Sequence, residues 1–182
     1  MTLVHWAPED LLARIDDVLT VYAEAMDYPP DLVAARRGFV AAHTHYRGFR
    51  AVASLDNDDR LLGFGYGYRS GAGQWWHEQV ASGLPADAAR FWLSDCFELV
   101  ELHVRPDAQG HGRGYTQLTA LLDGATEATV LLSTPEVPHE SSRAWRLYRR
   151  TGFVDVLRHF RFPGDERPFA VLGRRLPLEG SI

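Results

Sequence analysis

The chain contains no lysine; all 19 of its basic residues are arginine. That absence closes Schiff-base chemistry on a lysine, phosphate binding by a P-loop lysine, and acylation of the chain's own side-chain amines. Cysteine is nearly absent as well. The lone Cys96 cannot form an internal disulfide, which fits a reducing cytoplasm. No apolar run approaches the roughly 20 residues that span a bilayer. The opening MTLVHWAPED has no basic region followed by an apolar core, so no secretory signal is expected and the compartment is expected to be the cytoplasm. An excess of positive charge is missing too. The formal net charge is −5, which argues against nucleic acid or an anionic membrane as partner. What is present is a globular composition, 46% hydrophobic and 12% aromatic over 182 residues, with no repeat and no dividing linker. A single domain over residues 1–182 is expected, long enough to bury a substantial core.

Periodicity and turn chemistry order the chain. A short strand over residues 3–6 precedes Pro8-Glu9-Asp10, a proline and two acids suited to a first helical turn. Leu11, Ile15, Val18 and Tyr22 recur at helical spacing and predict one helix over 9–26. After Tyr28-Pro29-Pro30, a second helix over 31–45 places Leu32, Arg36, Phe39, Val40 and His43 on one face. Residues 47–55 and 61–68 form a hairpin around Asp56-Asn57-Asp58-Asp59. In the second of these strands, LLGFGYGY, glycine alternates with bulk, and glycine in a strand often marks close approach by another group. Residues 70–95 are the least regular, with a helix over 86–93. Further strands are expected over 97–104, 128–133, 154–162 and 168–176, the second of them buried on both faces. Helices are expected over 115–124 and from Ser141, as cap, to Thr151, the latter with Ala144, Leu147, Tyr148 and Thr151 inward. Gly152-Phe153 reads as a glycine C-cap with its hydrophobic partner.

The stretch with most chemical content is Glu98 to Gly124, a strand, a proline-bearing turn, a glycine-spaced loop and a helix. Glycines at 110, 112 and 114 let an anion approach the unpaired N–H groups of a helix N-terminus without meeting a Cβ. No GK[ST] follows, which excludes a P-loop. A dinucleotide fingerprint would sit directly at the strand end and would need an acidic residue about 20 residues on, and neither is found. A plain glycine-rich turn is the competing reading of the stretch by itself.

Two motifs carry a resemblance to the GNAT acetyltransferase superfamily. Gln109-Gly110-His111-Gly112-Arg113-Gly114 fits its Q/R-x-x-G-x-G/A signature, preceded by Leu102-His103-Val104 and Pro106. Downstream, Ala144-Trp145-Arg146-Leu147-Tyr148-Arg149-Arg150-Thr151-Gly152-Phe153 is similar to its A-x-x-[LF]-Y-x-x-x-G-F segment. The element order inferred above is also the family's order, so the resemblance covers nearly the whole chain. It implies an α/β (α+β) acyltransferase fold, with a mixed, mostly antiparallel sheet of six or seven strands and about four flanking helices. It implies acetyl-CoA as donor and no metal. The backbone of Leu102, His103 and Val104 would meet the pantetheine amides. Gln109, Gly110, His111, Gly112, Arg113 and Gly114, with the helix start at Tyr115, would hold the pyrophosphate, Arg113 adding a charge-assisted contact. Ser141 stands where the family often carries an asparagine near the pantetheine.

The resemblance also implies N-acetyl transfer by direct attack of a primary amine, with Tyr148 as the acid that protonates the departing thiolate. A phenol stays protonated at neutral pH and suits that task. The base is a strand glutamate, Glu98 or Glu101. Their odd separation puts them on opposite faces of a regular strand, and a bulge would change that. His103, His43 and His45 are further candidates. Cys96 lacks a flanking histidine signature and reads as a small buried hydrophobe, not a nucleophile. Phe39, His43, His45, Tyr46, Trp75, Trp76 and Trp92 are candidate walls for the acceptor, a small-molecule or protein amine, and a homodimer is the assembly the family suggests. The readings from other classes are an inactive acyl-CoA-binding sensor or partner domain and an unrelated nucleotide-binding domain.

Overall fold

The structure is a computed structural model describing residues 1–136 and 142–178. Ser141, expected as helix cap and cofactor contact, lies outside the described residues. The strands are β1 (Thr2–Trp6), β2 (Arg50–Leu55), β3 (Leu61–Ser70), β4 (Cys96–Val104), β5 (Thr129–Pro135), β6 (Val154–Phe160) and β7 (Phe169–Arg175). They form a seven-stranded sheet in the order β1-β2-β3-β4-β5-β7-β6. The helices are α1 (Pro8–Ala13), α2 (Ile15–Met26), α3 (Pro30–Ala34), α4 (Arg37–His43), α5 (Trp75–Ser82), α6 (Ala86–Leu93), α7 (Arg113–Leu122) and α8 (Arg143–Arg150). The mixed α/β class with a mostly antiparallel sheet is as expected, with helices shorter and more numerous than the four anticipated. The chain divides into two compact units, Met1–Tyr68 with Leu99–Asp123, and Arg69–Glu98 with Gly124–Ile182.

In the first unit β1, β2 and β3 pair antiparallel, from Thr2↔Leu55 and Arg50↔Gly67 onward. The β2–β3 turn is tied by Asp56, whose Oδ1 accepts from the N–H groups of Asp58 and Arg60, each at 2.9 Å. This is the local side-chain bonding that makes aspartate a turn former. The single helix expected over 9–26 is two helices. Arg14 interrupts it at φ −112°, donating its N–H to Leu11 O while its guanidinium reaches Asp17 and the Asp59 carbonyl. The helix expected over 31–45 is likewise broken at Ala35-Arg36, and Leu32 and Phe39, placed on its apolar face by spacing, are 56% and 64% exposed. The break frees Arg36 to reach β4. Leu11, Val18, Val21, Val33 and Val40 bury their side chains with Ala51, Ala53, Phe64 and Tyr66, each large one removing about 1.5–3 kcal/mol of apolar exposure.

The glycines of β3 have the meaning their alternation suggested. A Cβ on Gly63 would stand 2.5 Å from Gln117 Oε1 and 2.6 Å from His103 O, and one on Gly65 would stand 2.8 Å from Leu102 Cδ1. Only glycine lets α7 and the end of β4 approach this closely. Gln117 is fully buried there, accepting from Ser54 Oγ at 2.8 Å and donating to His103 O at 3.2 Å.

In the second unit the Cys96–Glu98 stretch of β4 pairs parallel with Thr129–Leu131 of β5, and β5, β7 and β6 pair antiparallel. The irregular stretch 70–95 resolves into α5 and α6, which bury Val80 and Leu93 with Cys96, Leu131, Phe162 and Val171. Ser142, one residue beyond the expected cap, caps α8 by accepting from the Trp145 N–H at 3.1 Å. The buried face of α8 is Trp145 and Tyr148, while Ala144 is exposed. Trp145 removes far more apolar surface than Ala144 could, and its indole N–H finds Pro135 O at 3.1 Å. Gly152 ends the helix at φ +84°, and the Phe153 N–H returns to Tyr148 O at 3.0 Å. This is the six-to-one bond of a Schellman cap, accompanied by ring contact between Phe153 and Tyr148 at 5.6 Å.

Candidate active site

The glycine loop leaves β4 through a 3-10 turn over Pro106–Ala108 and enters α7 at Gly112. Gly110 and Gly112 take φ of +83° and +73°, conformations that favour glycine. A Cβ at Gly112 would meet nothing within 4 Å, so backbone conformation and not crowding selects glycine there. With glycine at the N-cap, no side-chain oxygen caps α7. The loop is braced from outside its own backbone. Gln109 Nε2 donates to Val104 O at 3.0 Å, and Arg113 Nη1 donates to Ala108 O at 2.5 Å. Arg113 therefore folds onto the loop's own carbonyl. His111 Nδ1 lies 2.9 Å from Gln109 O, and Tyr115 is 38% exposed on the first turn of α7. A helix start of this kind attracts an anion through its N–H groups and its dipole.

The first unit also gathers a polar cluster at Glu101. Arg36 Nη2 pairs with Glu101 Oε1, and His103 Nε2 lies 2.5 Å from Oε2. The carboxylate is buried at 8% exposure. Burial pushes its pKa up, but the hydrogen bond and charge of His103, with those of Arg36, outweigh burial and hold it below the ordinary range. Arg36 is held on the other side by the Tyr22 ring, its Cζ 4.8 Å from the centroid. Tyr22 meets the His103 ring edge-on at 5.3 Å, and Phe64 lies 5.7 Å from it. Val18, Leu19, Tyr22, Arg36, Val40, Phe64, Tyr66 and Glu101 line one narrow crevice.

Arg36, which joins this cluster, is not among the site candidates that the sequence motifs single out. Its signal was an arginine among apolar residues on one expected helix face, and its partner lies 65 positions away. Arg105 is not among those candidates either; buried, it donates to Leu61 O at 2.6 Å and pairs with Glu24 at 2.5 Å, anchoring the end of β4.

Of the other candidates in this unit, His43 Nδ1 lies 2.9 Å from the Tyr66 hydroxyl. Burial lowers its pKa, with Glu101 opposing and Arg36 assisting, which favours the neutral ring. His45 is exposed, and Tyr46 packs edge-on against Tyr68 at 4.6 Å. In the second unit Tyr148 is buried in α8, and Glu98 is buried opposite Leu131. Trp75 contacts Phe162 but is 55% exposed, whereas Trp76, which donates to Ser133 Oγ at 3.2 Å, and Trp92, which lies over Gly173, pack against that unit's core. Cys96 is fully buried, and burial pushes its thiol up to about 12, far from a thiolate at neutral pH.

Comparison with known proteins places these features in a family. The model of the acetyltransferase (GNAT) family matches residues 15–153. A GCN5-like protein acetyltransferase of Mycobacterium tuberculosis is 41% identical over 97% of this chain and 98% of its own. The chain belongs to the GNAT acetyltransferase family. Solved structures share its fold at low identity. An aminoglycoside 6′-acetyltransferase type Ii superposes with a TM-score of 0.67 at 16% identity, covering 97% of this chain and 99% of its own. A Salmonella typhimurium structure solved with its cofactor acetyl-CoA gives 0.65 at 13% identity, covering 100% and 97%. This GNAT protein is an acyltransferase whose acetyl group comes from acetyl-CoA.

Proposed function

We propose that this GNAT protein moves the acetyl group of acetyl-CoA directly to a primary amine, with Tyr148 as the acid. The observation that carries the reading is the loop 109–114. Two of its glycines stand at positive φ and open a helix with no side-chain cap. That is a cradle suited to a pyrophosphate, with Gln109, Gly110, His111, Gly112, Arg113, Gly114 and Tyr115 around it. Leu102, His103 and Val104 offer backbone groups to the pantetheine arm. The amine's proton leaves through the β4 glutamates, Glu98 or Glu101, directly or through a neighbour. Tyr148 gives its phenolic proton to the departing sulfur, and the Schellman cap behind it supports a fixed ring position.

The acceptor to test first is a lysine-bearing protein or peptide, because the Mycobacterium tuberculosis relative is named a protein acetyltransferase. An aminoglycoside and spermidine belong beside it, as substrates named for proteins of the same fold. The experiment is CoA thiol release across that amine panel, with Tyr148→Phe as the variant. Turnover is expected to fall about 100-fold or more while CoA affinity stays within a factor of two or so. Unchanged turnover would remove Tyr148 from the acid's place. CoA binding without transfer to any amine would favour the sensor reading.

A further inference from the structure

Acetyl transfer needs one atom that removes the amine's proton, and the cluster at Glu101 identifies it. We propose that His103 Nδ1 is that proton acceptor, with Glu101 orienting the ring and Arg36 holding Glu101 in place. The assignment rests on the reading of the protein as an amine acetyltransferase and deepens it.

Glu101 itself is poorly suited to the task. Oε1 is taken by Arg36 Nη2 and Oε2 by His103 Nε2, and the side chain is only 9% exposed. A carboxylate with both oxygens engaged and its charge paired has little remaining basicity. Ionised, it can only accept hydrogen bonds, so the contact at 2.5 Å requires a proton on His103 Nε2. In the neutral ring the lone pair is then on Nδ1. The carboxylate selects the tautomer, as the acid does for the histidine of a hydrolytic triad.

The rest of the residue is fixed as well. Gln117 Nε2 holds the His103 carbonyl, and the bare face of Gly63 lets the two approach. Tyr22 and Phe64 contact the ring. The His103 side chain retains 13% exposure, against 9% for Glu101. The charged and titratable groups around the ring are Glu101 on β4, Tyr22 on α2, Arg36 between α3 and α4, and His43 on α4, coupled to Glu101 and Arg36.

The step balances simply. The amine nitrogen forms a bond to the acetyl carbon, its proton passes to His103 Nδ1, the carbon–sulfur bond breaks, and the sulfur leaves with a proton from Tyr148. Positive charge gained on the ring sits beside the Glu101 carboxylate; after release His103 gives its proton to water and the Tyr148 phenolate takes one back, which restores both groups.

The first test uses the unaltered chain. ¹⁵N NMR of the histidine rings is expected to show the neutral form of His103 as the Nε2-protonated tautomer; the Nδ1-protonated tautomer would overturn the assignment. The second compares kcat/KM against pH for the wild type and His103→Gln, using the best amine of the panel. The variant is expected to lose about 100-fold or more near neutrality and to lose the wild type's fall in activity on the acid side. CoA-induced thermal stabilisation is expected to persist in it, which reports an intact fold. A wild-type rate and profile in His103→Gln would overturn this assignment alone, whereas failure of the unaltered protein to acetylate any amine would overturn the proposed function itself.

Discussion

Glu101 would have its carboxyl pushed up by burial alone, and the hydrogen bonds and charges of His103 and Arg36 reverse that. A carboxyl with a depressed folded pKa contributes stability that is complete above its ordinary value of 4.5 and is lost as pH falls through the lowered folded value. Glu101→Gln is therefore expected to lower stability by about 1–3 kcal/mol at pH 7, because Arg36 is left facing a neutral amide. The figure is kept below that of a fully buried pair because the Arg36 side chain is 36% exposed. Urea titrations at several pH values check it. The gap between variant and wild type should close as the solution is taken below the carboxylate range. Strand parity in the sequence puts Glu98 and Glu101 on opposite faces and leaves open which of them meets the amine. Long-range partners separate their chemistry, and Arg36, which meets Glu101, sits at the break between α3 and α4.

Among the elements, β3 and α8 carry the most local specification. Gly63→Ala is expected to destabilise by about 1–3 kcal/mol, since the added methyl meets a backbone oxygen and a buried amide with no free direction to move. Gly112→Ala has open space around the same added atom and is expected to cost only about 1–2 kcal/mol of left-handed backbone strain. The two should also differ in mechanism. A compensating Gln117→Ala change should relieve only part of the cost of Gly63→Ala, since the His103 carbonyl still meets the methyl, and should leave Gly112→Ala untouched, as a double-mutant cycle in urea would read. Ser142→Ala removes the cap of α8 and should cost about 0.5–2 kcal/mol by the same measurement. The alternation of glycine in β3 marked a close approach without naming Gln117 and His103 as what approaches, and the Gly152-Phe153 ending of α8 was legible from the sequence because it is set by neighbours in the chain. The inward face of α8 was not. Helical spacing allows Ala144 or Trp145 to point inward, and the choice goes to the ring that gains most by leaving water.

For the whole molecule the informative measurement is ligand-dependent stability. A compound bound only by the folded chain raises stability by about 2.7 kcal/mol at 100 times its dissociation constant. CoA is expected to raise the melting temperature in this way, and NAD and ATP are not; equal shifts from all three would point to a generic nucleotide site in place of the loop assigned here. The sequence by itself determined the family, through two motifs at the right separation, and with it the sheet class and the glycine loop. It also ruled out lysine chemistry outright. These are properties of composition and of residues within a few positions of one another, where turn, cap and helix periodicity act. Tertiary structure alone decided that Arg36, Glu101 and His103 form one hydrogen-bonded cluster, that Gln117 occupies the space left by Gly63, and that Arg113 folds back onto its own loop. Such contacts depend on side chains far apart in sequence meeting within hydrogen-bond range, and no local pattern encodes a meeting that packing must first bring about.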